Sequence, residues 1–367
     1  MAYSLKNMWA AMAVSLVAAT SIVNAAPFFD NNQPYGDSLG CCPCGPVRPC
    51  VNPCGNWFVD AEFLYWNVSE QGLEYGTEVV TTPSSIADSF VAGKAHHISD
   101  SWEPGFRVGI GYDLPCDGWD VVAYYTNLYS KSHSHHFFDP TVSSFNPQYS
   151  TFPSRGSSFN DVHAHWKLNL NVLDFELGRE FCVSSCLTLR PFIGVRAAWI
   201  DQSIRTELYS VTDTDDFFVD GSKVKSKFDG AGLRGGFDTE WKLGWCGISI
   251  YGQTAASILY GRHKTSYHEF YFLTPQSEFG TDVEYKNNYN GCVAIGDAAI
   301  GLRWKEYFYC DTIALTLQLG YETHFYWNQA RFIRPTTSQS GSEALVYGVN
   351  RGDLNTNGVT FAAKLAF

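Results

Sequence analysis

Val359-Thr-Phe-Ala-Ala-Lys-Leu-Ala-Phe367 ends the sequence, and its apolar side chains fall on every second position: Val359, Phe361, Ala363, Leu365 and Phe367. A period of two belongs to a strand with one apolar face. A half-buried strand in a soluble sheet alternates in the same way, but it gains little from ending on an exposed aromatic. The stretch therefore reads as the lipid-facing last strand of a transmembrane barrel, with Phe367 as its assembly signal.

The opposite end agrees. Lys6 supplies a positive n-region, Met8 to Val23 is a mostly apolar run, and Val23-Asn24-Ala25 before Ala26 offers the small residues a signal peptidase needs. Ser15, Thr20, Ser21 and Asn24 interrupt that run, which favours a cleaved leader over a retained helix. The expected organisation is a signal peptide over residues 1–26, a Cys/Pro-rich periplasmic extension over 27–56 and a bacterial outer-membrane β-barrel over 57–367.

Composition fits an all-β, antiparallel transmembrane barrel. The 367 residues include 32 Gly, 21 Tyr, 26 Phe and 11 Trp, yet the mean hydropathy lies slightly below zero. A barrel shows aromatics to lipid and in interfacial girdles while its lumen and loops stay polar, so its average is near neutral. The net charge of −12 argues against nucleic acid as a partner, which would call for a basic surface.

Ten segments alternate strongly: approximately Trp57 to Val68, Trp102 to Leu114, Trp119 to Ser130, Val162 to Phe181, Leu187 to Ile204, Lys225 to Leu243, Ile248 to Tyr260, Cys292 to Lys305, Thr312 to Trp327 and Thr356 to Phe367. In the ninth, Ile313, Leu315, Leu317, Leu319, Tyr321, Phe325 and Trp327 share one face, and Thr316, Gln318, Glu322 and His324 the other. The inner face so defined gives the pore-lining set Asp60, Glu62, Arg107, Lys167, Arg190, Arg196, Arg234, Asp238, Glu240, Lys242, Asp297, Arg303, Gln318, Glu322, His324 and Lys364. The fourth segment changes parity between Trp166, Leu168, Leu170, Val172 and Leu173, Phe175, Leu177, which predicts a β-bulge near Val172. Ten strands make a narrow bore, since about eight give a filled interior and sixteen to eighteen an open channel. Twelve or more strands would follow if hairpins hide at Leu73 to Val80 or in the loops after Ser130 and Tyr260.

Short connections alternate with long ones, and barrels of this kind keep short turns on the periplasmic side. Cys116, Cys182, Cys186, Cys246 and Cys310 lie in or beside the short turns, and Cys41, Cys42, Cys44, Cys50 and Cys54 crowd the N-terminal extension. All ten are disulfide candidates in an oxidising compartment. Cys292 stands apart, and an odd total of eleven leaves at least one thiol without a partner in the chain. The one-sided crowding suggests disulfide links to other envelope proteins, although Cys182 and Cys186 could equally staple their own turn. The spacing of Cys42, Cys44, Cys50 and Cys54 lacks paired two-residue knuckles, so zinc is the lesser reading and no metal is expected.

Asp60-Ala-Glu-Phe-Leu-Tyr-Trp66 with Gly72-Leu-Glu-Tyr75, Val172-Leu-Asp-Phe-Glu-Leu-Gly-Arg179 and Leu187-Thr-Leu-Arg-Pro-Phe-Ile-Gly-Val-Arg196 resemble the pore-forming outer-membrane proteins of Legionella and environmental chlamydiae. That family is similar in role to the chlamydial major outer membrane protein. The resemblance spans Trp57 to Phe367 and implies a porin-like channel for small hydrophilic solutes, set in outer-membrane lipid and assembled as a homo-oligomer, a trimer by family habit. It also implies an envelope stiffened by disulfides, though the cysteine positions here differ from the chlamydial pattern and no pairing carries over. No cofactor is expected.

Two other classes of function draw on parts of the sequence. A non-conducting structural or adhesive barrel would place its role in the long loops, and Arg351-Gly-Asp353 there is too short to count as evidence. An outer-membrane hydrolase would draw on His96, His97, His133, His135, His136, His163, His165, His263 and His268 with Asp100, Asp139 and Asp161. Catalysis needs a His within hydrogen-bond reach of a carboxylate and a positioned water. The sequence carries no Gly-x-Ser-x-Gly elbow. His133-Ser-His-His136 reads as a solvated polar loop before it reads as a metal site or a catalytic one, so an enzyme is not expected.

Overall fold

The structure, a computed structural model, describes residues 48–49, 55–80, 92–115, 117–139, 143–150, 159–211, 216–244, 247–271, 280–308, 313–336 and 346–367. The leader, nearly all of the 27–56 extension, and Cys41, Cys42, Cys44, Cys50, Cys54, Cys116, Cys246 and Cys310 lie outside them. The elements are β1 (Arg48–Pro49), β2 (Asn56–Glu70), β3 (Glu74–Val80), β4 (Ala92–His97), β5 (Ser101–Asp113), β6 (Trp119–Phe137), β7 (Ser143–Pro147), β8 (Asp161–Arg179), β9 (Phe181–Cys182), β10 (Leu187–Val211), β11 (Asp216–Lys242), β12 (Ile248–Tyr271), β13 (Gly280–Phe308), β14 (Ile313–Thr336) and β15 (Val346–Ala366).

Ten strands close into a barrel. β2, β5, β6, β8, β10, β11, β12, β13, β14 and β15 pair antiparallel with their neighbours in that order, and β15 returns to β2. Closure removes every strand edge, which satisfies the backbone within a bilayer. The seam runs to the last residue: Trp57 N donates to Phe367 O at 3.0 Å, and Phe367 N donates to Trp57 O at 2.8 Å. β1 pairs with β9, bringing Arg48 opposite Cys182 at the short-turn end.

All ten alternating segments are barrel strands, but most run further toward the long loops than alternation alone indicates. β6 continues to Phe137, β12 to Tyr271, and β13 begins at Gly280. The hairpin expected over 73–80 is a strand, β3, yet it pairs with β4 and β7 in a separate three-stranded sheet and leaves the barrel at ten strands. Arg351-Gly-Asp353 falls within β15, where Asp353 Oδ1 accepts from Asn328 N at 2.7 Å.

The β-bulge expected near Val172 is not there. β8 keeps an unbroken register with both β6 and β10, burying Trp166, Leu168, Leu170 and Val172 and exposing Leu173, Phe175 and Leu177. Strict alternation then puts Lys167 on the outside, exposed, and not in the lumen. The apolar side of the strand changes because its surroundings change along the barrel.

Near the short turns, outward positions are apolar and inward ones charged. On β2 the outward row Trp57, Val59, Phe63 and Tyr65 covers nine residues, and on β15 Val359, Phe361, Leu365 and Phe367 cover nine more. Nine residues at ~3.3 Å each, tilted by ~40°, span roughly 23 Å, close to the ~25 Å apolar band of such barrels. Aromatic pairs flank the band, with Trp57 and Tyr112 ring centroids 5.0 Å apart at one edge and Tyr65 and Trp102 5.4 Å apart at the other.

Past that second edge the faces exchange roles. Outward residues become polar, as with Lys227 and Asp201 at 2.6 Å and Lys264 and Asp229 at 2.9 Å. Inward residues become a dry core in which Trp66, Leu128, Trp166, Ile200, Phe228 and Leu259 are at most 1% exposed. Leu73, Tyr75, Ile98, Phe145 and Tyr149, from the small sheet and the residues just beside β3, β4 and β7, join the same core. Polar anchors hold that cap: Tyr267 donates its hydroxyl to Tyr149 O at 2.8 Å, and Arg334 donates to Gly72 O at 3.1 Å and Glu74 Oε2 at 2.8 Å. Gly72 turns here at φ 90°, and a Cβ would sit 2.4 Å from the Asn350 amide nitrogen.

Not every polar residue in this upper core has such an anchor. His263 is fully buried, stacks on Tyr289 at 4.9 Å, and finds a hydrogen-bond partner for neither ring nitrogen among the described residues. A buried donor or acceptor without a partner costs about 1–3 kcal/mol. His263→Phe is therefore expected to keep or raise stability, by up to ~1 kcal/mol once imperfect packing is allowed for. The midpoint of thermal unfolding in detergent, read by the gel shift between folded and unfolded forms, measures it; a clear fall would mean that the imidazole makes a bond after all.

Candidate functional site

The lumen of the membrane-spanning tier is the candidate site. Each strand contributes to it through the inward half of its alternation, so charged residues two apart in sequence stack along the bore. β2 gives Asp60 and Glu62, β5 Arg107, β10 Arg190 and Arg196, β11 Arg234, Asp238 and Glu240, β13 Asp297 and Arg303, β14 Gln318, Glu322 and His324, and β15 Lys364. Lys242 is exposed at the short-turn end of β11. Lys364 has its Nζ 3.5 Å from the centre of the Phe58 ring.

These side chains meet across the bore. Arg107 donates to Glu62 at 2.7 Å and to Glu322 at 3.0 Å. His324 bridges Glu322 at 3.3 Å and Asp297 at 2.8 Å. Asp297 also forms an ion pair with Arg196 at 2.9 Å and accepts from Arg234. Arg196 pairs with both oxygens of Asp174, at 2.6 and 2.8 Å. Arg234 reaches Glu176 at 2.9 Å, and Arg190 joins Glu176 at 3.4 Å, Asp238 at 2.7 Å and Asp120 at 2.5 Å. Nearer the short turns, Arg303 pairs with Glu240 at 2.5 Å and donates to Gln318 at 3.4 Å.

Alternation in the sequence singles out most of this set but misses Asp120, Asp174 and Glu176. For Asp174 and Glu176 the expected bulge makes no difference, since it too turns Leu173, Phe175 and Leu177 outward. The signal was present, because Leu173, Phe175 and Leu177 outward leave these two carboxylates only the inner face. Asp120 lies one residue into β6 beside a short turn, where no alternation has yet built up. The belt so completed holds nine carboxylates (Asp60, Glu62, Asp120, Asp174, Glu176, Asp238, Glu240, Asp297, Glu322) against six cations (Arg107, Arg190, Arg196, Arg234, Arg303, Lys364) and His324. Between them lies a cavity of about 100 Å³, room for several waters.

Apart from His324, the histidines described lie outside this belt. His133, His135, His163 and His165 form cross-strand pairs on the outer wall of β6 and β8, where His135 Nε2 is 2.6 Å from Asp161 Oδ1. His96 and His136 face Glu78 at the long-loop end, at 3.3 and 3.1 Å. Burial, with His136 beside it, holds the His96 imidazole below its ordinary pKa, and the Ser143 hydroxyl holds Glu78 below the usual carboxylate range.

Asp297 is the residue on which the belt converges. Removing one member of a buried ionic group leaves the others charged and unpaired, at a cost of about 3–5 kcal/mol. Asp297→Ala strands two arginines together, so it is expected to lower stability by that order, while Lys227→Ala on the outer wall changes it by less than ~1 kcal/mol. Urea unfolding of the two variants in the same detergent compares them directly, and equal effects would remove the case for a cooperative belt.

A family model described as the Legionella pneumophila major outer membrane protein precursor matches residues 48–367. No curated protein matches the sequence. Among solved structures, the chain is similar to the outer membrane protease OmpT of Escherichia coli, at 10% identity over 85% of this chain and 96% of that one, with a TM-score of 0.41. It is also similar to the Pseudomonas putida toluene transporter TodX, at 9% identity over 86% and 90% of the two chains, with a TM-score of 0.31. The family match takes in the whole barrel with its seam, lumen and lipid face. The chain thus belongs to the Legionella major outer membrane protein family and is a β-barrel protein of the bacterial outer membrane.

Proposed function

We propose that the protein is a narrow, porin-like channel for small hydrophilic solutes that favours cations, with its outer mouth held closed by the three-stranded sheet and by Tyr149 just after it. The carrying observation is the contrast between the two tiers of the bore. The outer tier is filled mainly with apolar side chains and buries few acids, Glu70, Asp220 and Glu269 among them, so filling the barrel itself requires little charge. Replacing buried ion pairs by packed apolar residues is often neutral or stabilising, and stability alone therefore gives no reason for nine carboxylates and six cations in the membrane tier. A hydrated ionic path does, and an excess of acids lining it selects cations. The reading assigns the protein no catalytic role and no cofactor.

Planar-bilayer recording of the refolded barrel tests this. Discrete conductance steps are expected, with a reversal potential in a KCl gradient displaced toward that of K⁺. Arg334→Ala frees the cap from its bonds to Gly72 and Glu74 and should lengthen the openings. If wild type and Arg334→Ala both insert as folded barrels and carry no current, the channel is refuted. The second reading, a non-conducting structural or adhesive surface barrel, would then stand, and the dry outer tier already favours it.

We propose further that the protein strengthens the envelope through disulfides to other envelope proteins or to its own copies, including a homotrimer. The pairing of Arg48 opposite Cys182 supports this reading, since it sets a residue of the extension beside a cysteine at the short-turn end. Eleven cysteines cannot all pair within one chain. Envelopes extracted with thiols blocked should show high-mass species on non-reducing gels that collapse to monomer with reductant; a monomer band indifferent to reductant would refute cross-linking.

A further inference from the structure

We infer that Glu78, His96 and His136 form a binding site for one divalent transition-metal ion of the zinc class, which fastens the three-stranded sheet to the barrel wall at its outer mouth. The three residues come from three strands: Glu78 from β3, His96 from the adjacent β4, and His136 from the barrel strand β6. His96 Nε2 and His136 Nε2 converge on the same carboxylate oxygen, Glu78 Oε2, at 3.3 and 3.1 Å. All three ligand atoms lie within 4.8 Å of one another.

Those separations are what a metal requires. Ligands ~2.0–2.1 Å from a tetrahedral zinc ion stand about 3.3 Å from each other. Two imidazoles and a carboxylate are a donor set that zinc accepts while keeping a fourth position for water. The group that orients the carboxylate is also in place. Ser143 Oγ donates to Glu78 Oε1 at 2.8 Å, fixing the carboxylate and leaving Oε2 to face the imidazoles, as supporting groups around metal ligands commonly do. The rings of His96 and His136 lie 3.9 Å apart and pack against Phe145, at 6.0 and 6.1 Å, which restricts their rotamers before any ion arrives. The side chains remain 11–23% exposed, so an ion can enter from the outside.

The neighbouring group His135, Asp161 and His163 is a useful contrast. It lies on the outer wall, with its histidines 51% and 37% exposed, and joins only β6 and β8, strands already paired along their length. The Glu78 group joins two sheets that share no ladder. An ion there supplies a link that the backbone does not, whether or not the barrel conducts.

Zinc titration of the refolded, oxidised full-length protein, read by competition with a chromophoric chelator, tests the assignment. Wild type and His135→Ala/His163→Ala are expected to bind one tight equivalent that His96→Ala/His136→Ala lacks. Glu78→Gln keeps the shape and the Ser143 contact, and should weaken binding by at least the ~10–100-fold that losing even a supporting group costs. It carries the test should the double histidine variant not fold. Co²⁺ in place of zinc should give visible d–d bands without a thiolate charge-transfer band, which separates this site from the cysteines. Equal stoichiometry and affinity in wild type and Glu78→Gln, loss of the tight equivalent in His135→Ala/His163→Ala, or a thiolate band for that equivalent would overturn it.

Discussion

Asp297 sits where Arg196, Arg234 and His324 meet, and through them one ionic network runs from Glu62 on β2 to Asp120 on β6 by way of β5, β14, β13, β10, β11 and β8. Backbone ladders join each strand only to its two neighbours. The side-chain network joins strands across the bore: Arg107 on β5 reaches Glu322 on β14, with β2 and β15 between them around the wall. In so narrow a barrel it fixes the cross-section as well as the lining. Its strength depends on completeness, because each charge has been taken out of water and is compensated only by its partners. The exposed lysine–aspartate pairs on the outer wall can be lost for ~0–1 kcal/mol.

The membrane divides the barrel into two environments, and the same strands serve both. Within the apolar band the outside is Val, Leu, Ile, Phe and Trp and the inside is charged. Above the band water lies outside, so the outside carries Lys227, Asp201 and Lys264 while the apolar residues move in. β8 passes through both zones and so places Trp166 and Leu168 inward but Phe175 and Leu177 outward. Its residues do not shift register; the apolar residues exchange faces. The dry upper core also gives the small sheet something to pack on, and Tyr75 and Tyr149 enter that core from outside the barrel wall.

This exchange explains which features could be read in advance. Ile313 to Trp327 and Leu233 to Trp241 lie mostly in the lipid band, and their faces are plain in the sequence. Lys167 shares its parity with Leu173 and Phe175. The rule that apolar residues face lipid therefore required a bulge to bring it inward, whereas the rule that water begins above the band needs none. Asp174 and Glu176 face inward under either rule. Residues 73–80 do alternate as a strand should, but alternation says nothing of which sheet a strand joins. The extra hairpin thus became a cap and not a wall.

By itself the sequence determined the ten strands of the wall, most of their faces and their antiparallel order while leaving room for twelve strands or more, because a period of two and the lengths of the connections are local properties of the chain. Only the tertiary structure decided which charges meet, and it also decided where lipid gives way to water and which histidines face a common carboxylate. Contacts across a bore depend on the stagger between strands far apart in sequence. Arg107 with Glu322, and Glu78 with His136, become neighbours only once the barrel has closed and the cap has packed onto it.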